Sequence, residues 1–183
     1  AQRRVLAHAS HELRSPLARL RLALALVEEG AHTDEAVRNV QELDALIEDL
    51  LLSARLQSGP AELLSEPTDL AALLRSEADR VGASCEGVGE GDVDPRLVRL
   101  AVRNLLENAR KYGGDEVEAS VHVADVVRIR VCDRGPGVPA ELRERIFEPY
   151  YRPHGHSEAD GGLGLGLALV ARVAEAHGGS ARC

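Results

Sequence analysis

No apolar run in this chain is longer than six residues, Leu22 to Val27. A helix that crosses a bilayer needs roughly 18–20, and no stretch here reads as a signal peptide. Positive charge is in the minority. Lys and Arg number 22 against 30 Asp and Glu, for a net charge of −8. Nonspecific nucleic-acid binders carry the opposite balance, so no nucleic-acid partner is expected. A local pocket can still oppose the global sign and take a nucleotide. Cysteine is scarce and odd in number: Cys85, Cys132 and Cys183, without metal-ligand spacing. Reduced thiols in a cytosolic compartment are the simple reading, with Cys132, inside an apolar run, expected in the core. Aromatics number four, and Phe147, Tyr150 and Tyr151 crowd together, leaving only Tyr112 elsewhere. Lys111 is the single lysine among the 22 basic residues.

What is present is a globular balance. The 183 residues are 44% hydrophobic and 28% charged, enough for one or two domains with a real core. Both ends read as cut. An amphipathic pattern is already running at Val5 without a cap, and Gly178 to Cys183 reads as a turn entering a strand. A longer protein is expected.

From Leu13 the apolar positions Leu17, Leu20, Leu24 and Val27 follow at steps of four, three, four and three, a heptad seam. Gly30 breaks it and Thr33 or Asp34 can cap a second helix, in which Val40, Leu43, Ile47, Leu50 and Ala54 repeat the rhythm. Two helices alone cannot enclose a core. A second copy would complete a four-helix bundle, so the pattern predicts a homodimeric helical hairpin over residues 1–58.

Residues 59–66 read as a linker, punctuated by Pro60, with Pro67 just beyond. The rest, 67–183, changes character. A helix is predicted over Asp69 to Val81, a short glycine-rich stretch over Gly82 to Gly91, and a helix from Asp94-Pro95 to Tyr112. A hairpin is predicted from Val117–Val123 and Val126–Cys132, a short helix over Ala140 to Phe147, and a longer helix over Leu165 to His177. Helices with a mostly antiparallel sheet make this part α+β.

Five groups of residues carry chemistry. The first is Ser10-His11-Glu12-Leu13-Arg14-Ser15-Pro16. Counting the heptad back from Leu17 puts His11 outside the apolar seam. Glu12 can accept a hydrogen bond from its Nδ1–H, which leaves the Nε2 lone pair free as a nucleophile. Ser15 lies one turn later on the same face, and Pro16 predicts a bend just past His11. His8, His11 and Glu12 do not make a zinc-protease order.

The second group is Asn104, Asn108, Lys111 and Tyr112. The first three recur at four and three, so they share one helical face. Carboxamides and an ammonium on one stripe can hold a hydrated Mg²⁺ and phosphate oxygens. The third, Asp133-Arg134-Gly135-Pro136-Gly137, follows an apolar strand. Its glycines permit a tight turn, and a buried carboxylate there could accept the N–H of an adenine amino group; alone it is an ordinary strand-ending turn. The fourth, Gly162, Gly164 and Gly166 within Gly161 to Val170, leads straight into a helix and offers N–H groups to phosphates. It is neither a Walker loop nor a dinucleotide fingerprint. The fifth is Phe147-Glu148-Pro149-Tyr150-Tyr151, and the polar loop 153–162 behind it reads as a mobile lid.

In this order and spacing the five groups resemble a bacterial sensor histidine kinase, the transmitter half of a two-component system. The first matches its phosphoacceptor box. The others match the asparagine box, the first glycine box, the phenylalanine box and the second glycine box of its Bergerat-type ATP-binding domain. The resemblance covers nearly the whole chain. It implies a dimeric hairpin joined to an α/β-sandwich ATP domain. It also implies in-line transfer from Mg²⁺-ATP to His11 and then to an aspartate of a response-regulator receiver domain. By resemblance Glu12 is the base partner of His11, and Ser15 matches the position that orients water for phosphatase activity. Asn108 looks like the Mg²⁺ ligand, Asn104 and Lys111 like phosphate contacts, Tyr112 like a border of the nucleotide and Asp133 like the adenine reader. Gly135, Gly137, Gly162, Gly164 and Gly166 match glycine-box positions. The chain would be the cytoplasmic portion of an inner-membrane sensor, attached through segments outside this sequence. The family pattern differs at Tyr150, often Phe, and at Ser15, commonly Thr or Asn. Gly82 to Gly91 also looks too short for the usual edge hairpin. Two rivals stand beside this reading: a nucleotide-binding scaffold that transfers nothing, and an ATPase or serine kinase sharing the Bergerat fold.

Overall fold

The computed structural model describes residues 63–152 and 164–183, together with Ala36 and Val40. The helical hairpin, His11, Glu12, Ser15, Gly162 and the lid therefore lie outside the described residues. The chain divides into two compact units, Ala1–Ala61 and Glu62–Cys183. In the first, Ala36 and Val40 are helical and Val40 is buried.

The second unit begins with strand β1 (Glu66–Asp69), at the end of the stretch read as a linker. Pro67 sits within β1 without breaking it, because β1 has one neighbour only and an edge strand can spare an N–H. Helix α1 (Leu70–Val81) follows. Asp69, expected inside the helix, instead caps it, its Oδ1 accepting from the Ala72 N–H at 2.9 Å.

The glycine-rich stretch is where the sequence reading fails. It holds two strands, β2 (Ser84–Val88) and β3 (Glu90–Val93), and they do not form a hairpin. β3 pairs antiparallel with β1, while β2 goes to the other sheet. The single residue between them, Gly89, has φ 144°, a value that L side chains rarely adopt. That turn lets consecutive strands part company.

Helix α2 (Pro95–Gly113) starts as expected, with Asp94 as cap and Pro95 in its first turn. Strands β4 (Val117–Val123) and β5 (Val127–Asp133) form the expected antiparallel hairpin. The larger sheet has the order β2-β4-β5, with β2 parallel to β4, so it is mixed. Helix α3 (Gly166–Ala176) closes the unit.

Period-two alternation on β4 points Val117, Ala119 and Val121 inward, each 3% exposed. They pack on α1 and α2 through Leu70, Leu74, Val102 and Leu106. Each large aliphatic side chain buried this way contributes about 1.5–3 kcal/mol. Cys132, on the opposite parity of β5, is half-buried rather than core and lies among Glu116, Glu118, Arg130 and Arg134 on the outer face. The helix expected over Ala140 to Phe147 is instead two 3₁₀ turns, Ala140–Leu142 and Arg145–Phe147. Neither turn has a side-chain cap, and Pro149 holds Glu148 extended and ends the run.

One buried charge ties α1 to α2. Glu77 is 3% exposed and accepts from Arg99 Nη1 at 3.0 Å and Arg103 Nε at 3.1 Å. Burial alone would raise its pKa, but the Arg103 and Arg99 guanidiniums overrule it and hold the carboxyl below its ordinary value. No described helix is long and apolar enough to cross a membrane.

Candidate functional site

Helix α2 is the spine of the site. Val98, Val102, Leu106 and Ala109 bury one side of it. The spacing of four and three then sets Asn104, Asn108 and Lys111 on another side, as the sequence predicts. Asn104 and Asn108 are half-buried, and Lys111 and Tyr112 are exposed. Lys111 Nζ stands 5.3 Å from the Tyr112 ring centroid, a cation–π contact that aligns the two.

Each glycine turn rests on a different part of this spine. The first meets its last turn. Gly113 is packed so closely on Asp133 that any side chain at 113 would strike the Asp133 Cβ. A Cβ at Gly135 would stand 2.7 Å from the Tyr112 carbonyl oxygen and 2.9 Å from Asp133 Oδ1. Both contacts need glycine, and together they set Asp133 and Gly135 beside Tyr112. Gly137 has φ 72° and reverses the chain after them.

Asp133 differs from expectation. Its carboxylate is exposed, not buried, and Oδ1 accepts from the Gly135 N–H at 2.8 Å. That bond stiffens the turn and uses one oxygen; the rest of the carboxylate faces outward. The strand simply ends here, before the sheet layer is covered.

The second glycine turn meets the middle of α2. A Cβ at Gly166, the first residue of α3, would stand 2.5 Å from Asn104 Oδ1. Asn104 Nδ2 donates to the Leu100 carbonyl at 3.0 Å, so its amide is braced on its own helix with the oxygen toward α3. In this arrangement Asn104 acts as a spacer between helices. No side chain caps α3, so its first N–H groups are left to another acceptor. Gly164 has φ 69° and packs under Tyr150 and Tyr151, and its carbonyl accepts from the Tyr150 N–H at 2.9 Å. Tyr150 itself has φ 64°, strained for a residue with a side chain, and its ring is exposed. Tyr150 and Tyr151 thus clasp the second glycine turn at Gly164. Arg145 lies 4.3 Å from the centroid of the Tyr151 ring and steadies that clasp.

The structure therefore brings Asn104 together with Gly166, and Tyr112 together with Asp133 and Gly135. Asn108 lies on α2 between these two points, one turn from each. Sequence reasoning missed Glu77 and the Asp94–His177 contact. Glu77 had a signal: it stands on the stripe of Leu70, Leu73, Leu74 and Ala78, where an unpaired carboxylate would be costly. His177 had none, because its partner is 83 residues away.

Among the described residues no three His, Cys, Asp or Glu side chains gather as a metal site. Mg²⁺ prefers oxygen and keeps waters and phosphate ligands, and the Asn108 amide oxygen is of the right type. The close packing at Gly135 and Gly166 sets the two turns against α2, and the uncapped start of α3 suits phosphates.

Residues 1–59 match the family model of the His Kinase A (phospho-acceptor) domain. Residues 93–183 match that of the histidine kinase-, DNA gyrase B- and HSP90-like ATPases. The sensor protein RstB of Escherichia coli strain K12 is 37% identical over 189 residues, covering 95% of this chain and 43% of RstB. The sensor histidine kinase CpxA of the same strain is 36% identical over 199 residues, covering 98% of this chain and 43% of CpxA. The crystal structure of full-length ShkA in complex with AMPPNP superposes with a TM-score of 0.73 at 30% identity, covering all of this chain and 42% of that one. The chain spans about two-fifths of the length of these relatives.

Proposed function

The chain belongs to the sensor histidine kinases, as their transmitter region, and from that premise we propose that it phosphorylates His11 from Mg²⁺-ATP. The phosphoryl group then passes to an aspartate of a response-regulator receiver domain. The observation that carries this reading is the placement of both glycine turns against α2, one on Asn104 at its middle and one on its last turn at Tyr112 and Gly113.

In this reading Asp133 and Gly135 hold the adenine side, and Gly162, Gly164, Gly166 and the first turn of α3 hold the phosphates. Lys111 adds a point charge. Asn108 would hold Mg²⁺, which when bound neutralises phosphate charge. Neutral His11 attacks the γ-phosphorus with its Nε2 lone pair, the bond from phosphorus to the β–γ bridging oxygen breaks, and ADP leaves. Glu12 takes the Nδ1 proton as the ring becomes a phosphoramidate. Little other chemistry is asked of the protein, so catalysis is positioning and charge neutralisation. Ser15 orients water for the reverse duty, dephosphorylation of the regulator. The hairpin 1–58 supplies the homodimer, and 67–183 the ATP domain. We read the chain as the cytoplasmic portion of an inner-membrane sensor.

Two substitutions test the nucleotide end. Asn108→Ala should lower affinity for ATP in the presence of Mg²⁺ by about tenfold or more, leaving the smaller Mg²⁺-free affinity nearly unchanged. Titration with a fluorescent nucleotide, with and without Mg²⁺, reads both numbers. An unchanged Mg²⁺-dependent affinity removes Asn108 from the ligand role. Gly166→Ala forces a methyl group against Asn104 Oδ1. Helix propensity favours the alanine by about 1 kcal/mol, so the fold should survive while nucleotide affinity drops about tenfold as the first turn of α3 is displaced. The same titration, run beside a thermal melt, separates the two effects. Wild-type affinity in Gly166→Ala would show that the close approach is not used.

A further inference from the structure

The start of α2 and the end of α3 share a polar contact, remote from the glycine turns. Asp94, 1% exposed, caps α2 by accepting at Oδ1 from the N–H groups of Arg96 and Leu97. Its own N–H donates to His177 Nε2 at 3.0 Å. In a capping box that N–H is bonded by a Glu or Gln at the third helical position. Here that position is Leu97, which has no acceptor, and α3 supplies one instead. Because Nε2 accepts, the ring proton is on Nδ1, which donates to the Val173 carbonyl at 2.8 Å. The Asp94 carboxylate is fixed as well, by Arg96 Nη2 at 2.8 Å and by the Leu64 N–H, which donates to Oδ2 at 3.2 Å.

Asp94 and Asn104 are ten residues apart, and His177 and Gly166 are eleven apart in the opposite direction. At a rise of about 1.5 Å per residue the two spans are about 15 Å and about 16.5 Å. Two antiparallel helices thus meet at two points at nearly equal spacing, the Asp94–His177 hydrogen bond at the start of α2 and the close approach of Gly166 to Asn104 at its middle. Apolar packing is nondirectional and tolerates a small slide. A hydrogen bond at one point and, so far from it, an approach too close to admit a Cβ do not, and they leave one register.

We propose that His177 is a positioning residue for the glycine-rich end of α3, and that the chain entering the unit acts on the same contact through Leu64. A shift of Leu64 moves Asp94, Asp94 carries His177, and α3 delivers the displacement to Gly166 and Asn104. The segment joining the two units thereby sets the shape of the nucleotide end. The regulatory consequence rests on the ATP-binding reading; the register itself does not.

The full chain, isotopically labelled and free of nucleotide, gives the readout by NMR: the side-chain amide of Asn104 and the backbone amide of Gly166. His177→Ala removes the acceptor. His177→Gln places a carbonyl oxygen near the same point. Leu64→Pro removes the N–H, with a fixed φ at 64 and a restricted Leu63 as its side effects, and the Leu64 side chain is 59% exposed, so little packing goes with it. Both signals should move in His177→Ala and in Leu64→Pro and return toward wild type in His177→Gln. ATP affinity should fall about tenfold in the first two and recover in the third. Signals that stay in place in Leu64→Pro, or in a folded His177→Ala, reduce His177 to a local helix end and overturn the proposal. A shift that persists in His177→Gln assigns the effect to lost ring packing and overturns it too. Signals that move while no variant, wild type included, binds ATP would leave the register contact standing and remove the nucleotide reading instead.

Discussion

His11→Ala is expected to abolish acid-labile labelling from γ-labelled ATP while nucleotide binding persists at wild-type affinity. The nucleophile and the nucleotide residues lie far apart in sequence, on 1–58 and 67–183, so removing one should leave the other intact. An alanine is also a good helix former, and a position outside the heptad seam has no core to lose. The effect should be complete rather than partial. Without the imidazole no lone pair of comparable strength stands in its place, and positioning the γ-phosphoryl group accomplishes nothing by itself. Labelling and fluorescent-nucleotide titration on the same preparation check both halves. Acid-labile phosphate retained in His11→Ala would contradict the assignment and direct the search to His8. Loss of nucleotide binding together with labelling would indicate a misfolded chain and not a missing nucleophile.

Glu77→Ala should cost the ATP unit about 2–4 kcal/mol. The substitution leaves the Arg99 and Arg103 guanidiniums facing each other across a vacated, buried site. The figure sits below the fully buried case because Arg99 and Arg103 are 43% and 34% exposed and recover part of their hydration. Melting temperature should drop by roughly 10 °C. Glu77→Gln keeps the shape and removes the charge, and it isolates a pH effect. The folded-state pKa of Glu77 lies below its ordinary value of 4.5, so its contribution is present above that pH and is lost as pH falls through the lower, folded value. Asp94, held down chiefly by the Arg96 guanidinium against the opposing effect of burial, behaves the same way from its ordinary 3.8. The gap in stability between wild type and Glu77→Gln should therefore be constant from about pH 8 to about pH 5 and close on further acidification. Denaturant melts across that range measure it. A gap that persists unchanged at about pH 3 would show that the Glu77 charge contributes nothing beyond its shape.

Much of the ATP unit was legible because its local signals agree with its packing. Asp94-Pro95 marks the start of α2 in two independent ways, and the Asn104–Asn108–Lys111 spacing survives into the structure as one face. The hairpin of β4 and β5 follows from two β-rich runs around Ala124-Asp125. The failures have physical reasons. Residues 84–93 are poor in β-formers, and what makes them strands is pairing with β1 and β4, which are distant in the chain. Gly89 decides that they separate, through a dihedral no propensity scale reports. Asp133 reads as buried because an apolar strand precedes it, yet it stands one step past the covered part of the sheet. The bond from Asp94 to His177 leaves no local trace, since each residue has an ordinary neighbourhood of its own.

The central claim, that this chain moves phosphate from Mg²⁺-ATP to a histidine, is tested most directly by the chemical stability of the product. Wild-type chain labelled with γ-labelled ATP and Mg²⁺ is divided and treated with acid or with alkali, and the labelled peptide is identified by mass spectrometry. The account predicts label on the peptide carrying His11, lost in acid and retained in alkali, as a phosphoramidate requires. Label that survives acid, as a serine or threonine phosphate would, or nucleotide hydrolysis with no label on the protein, would contradict it.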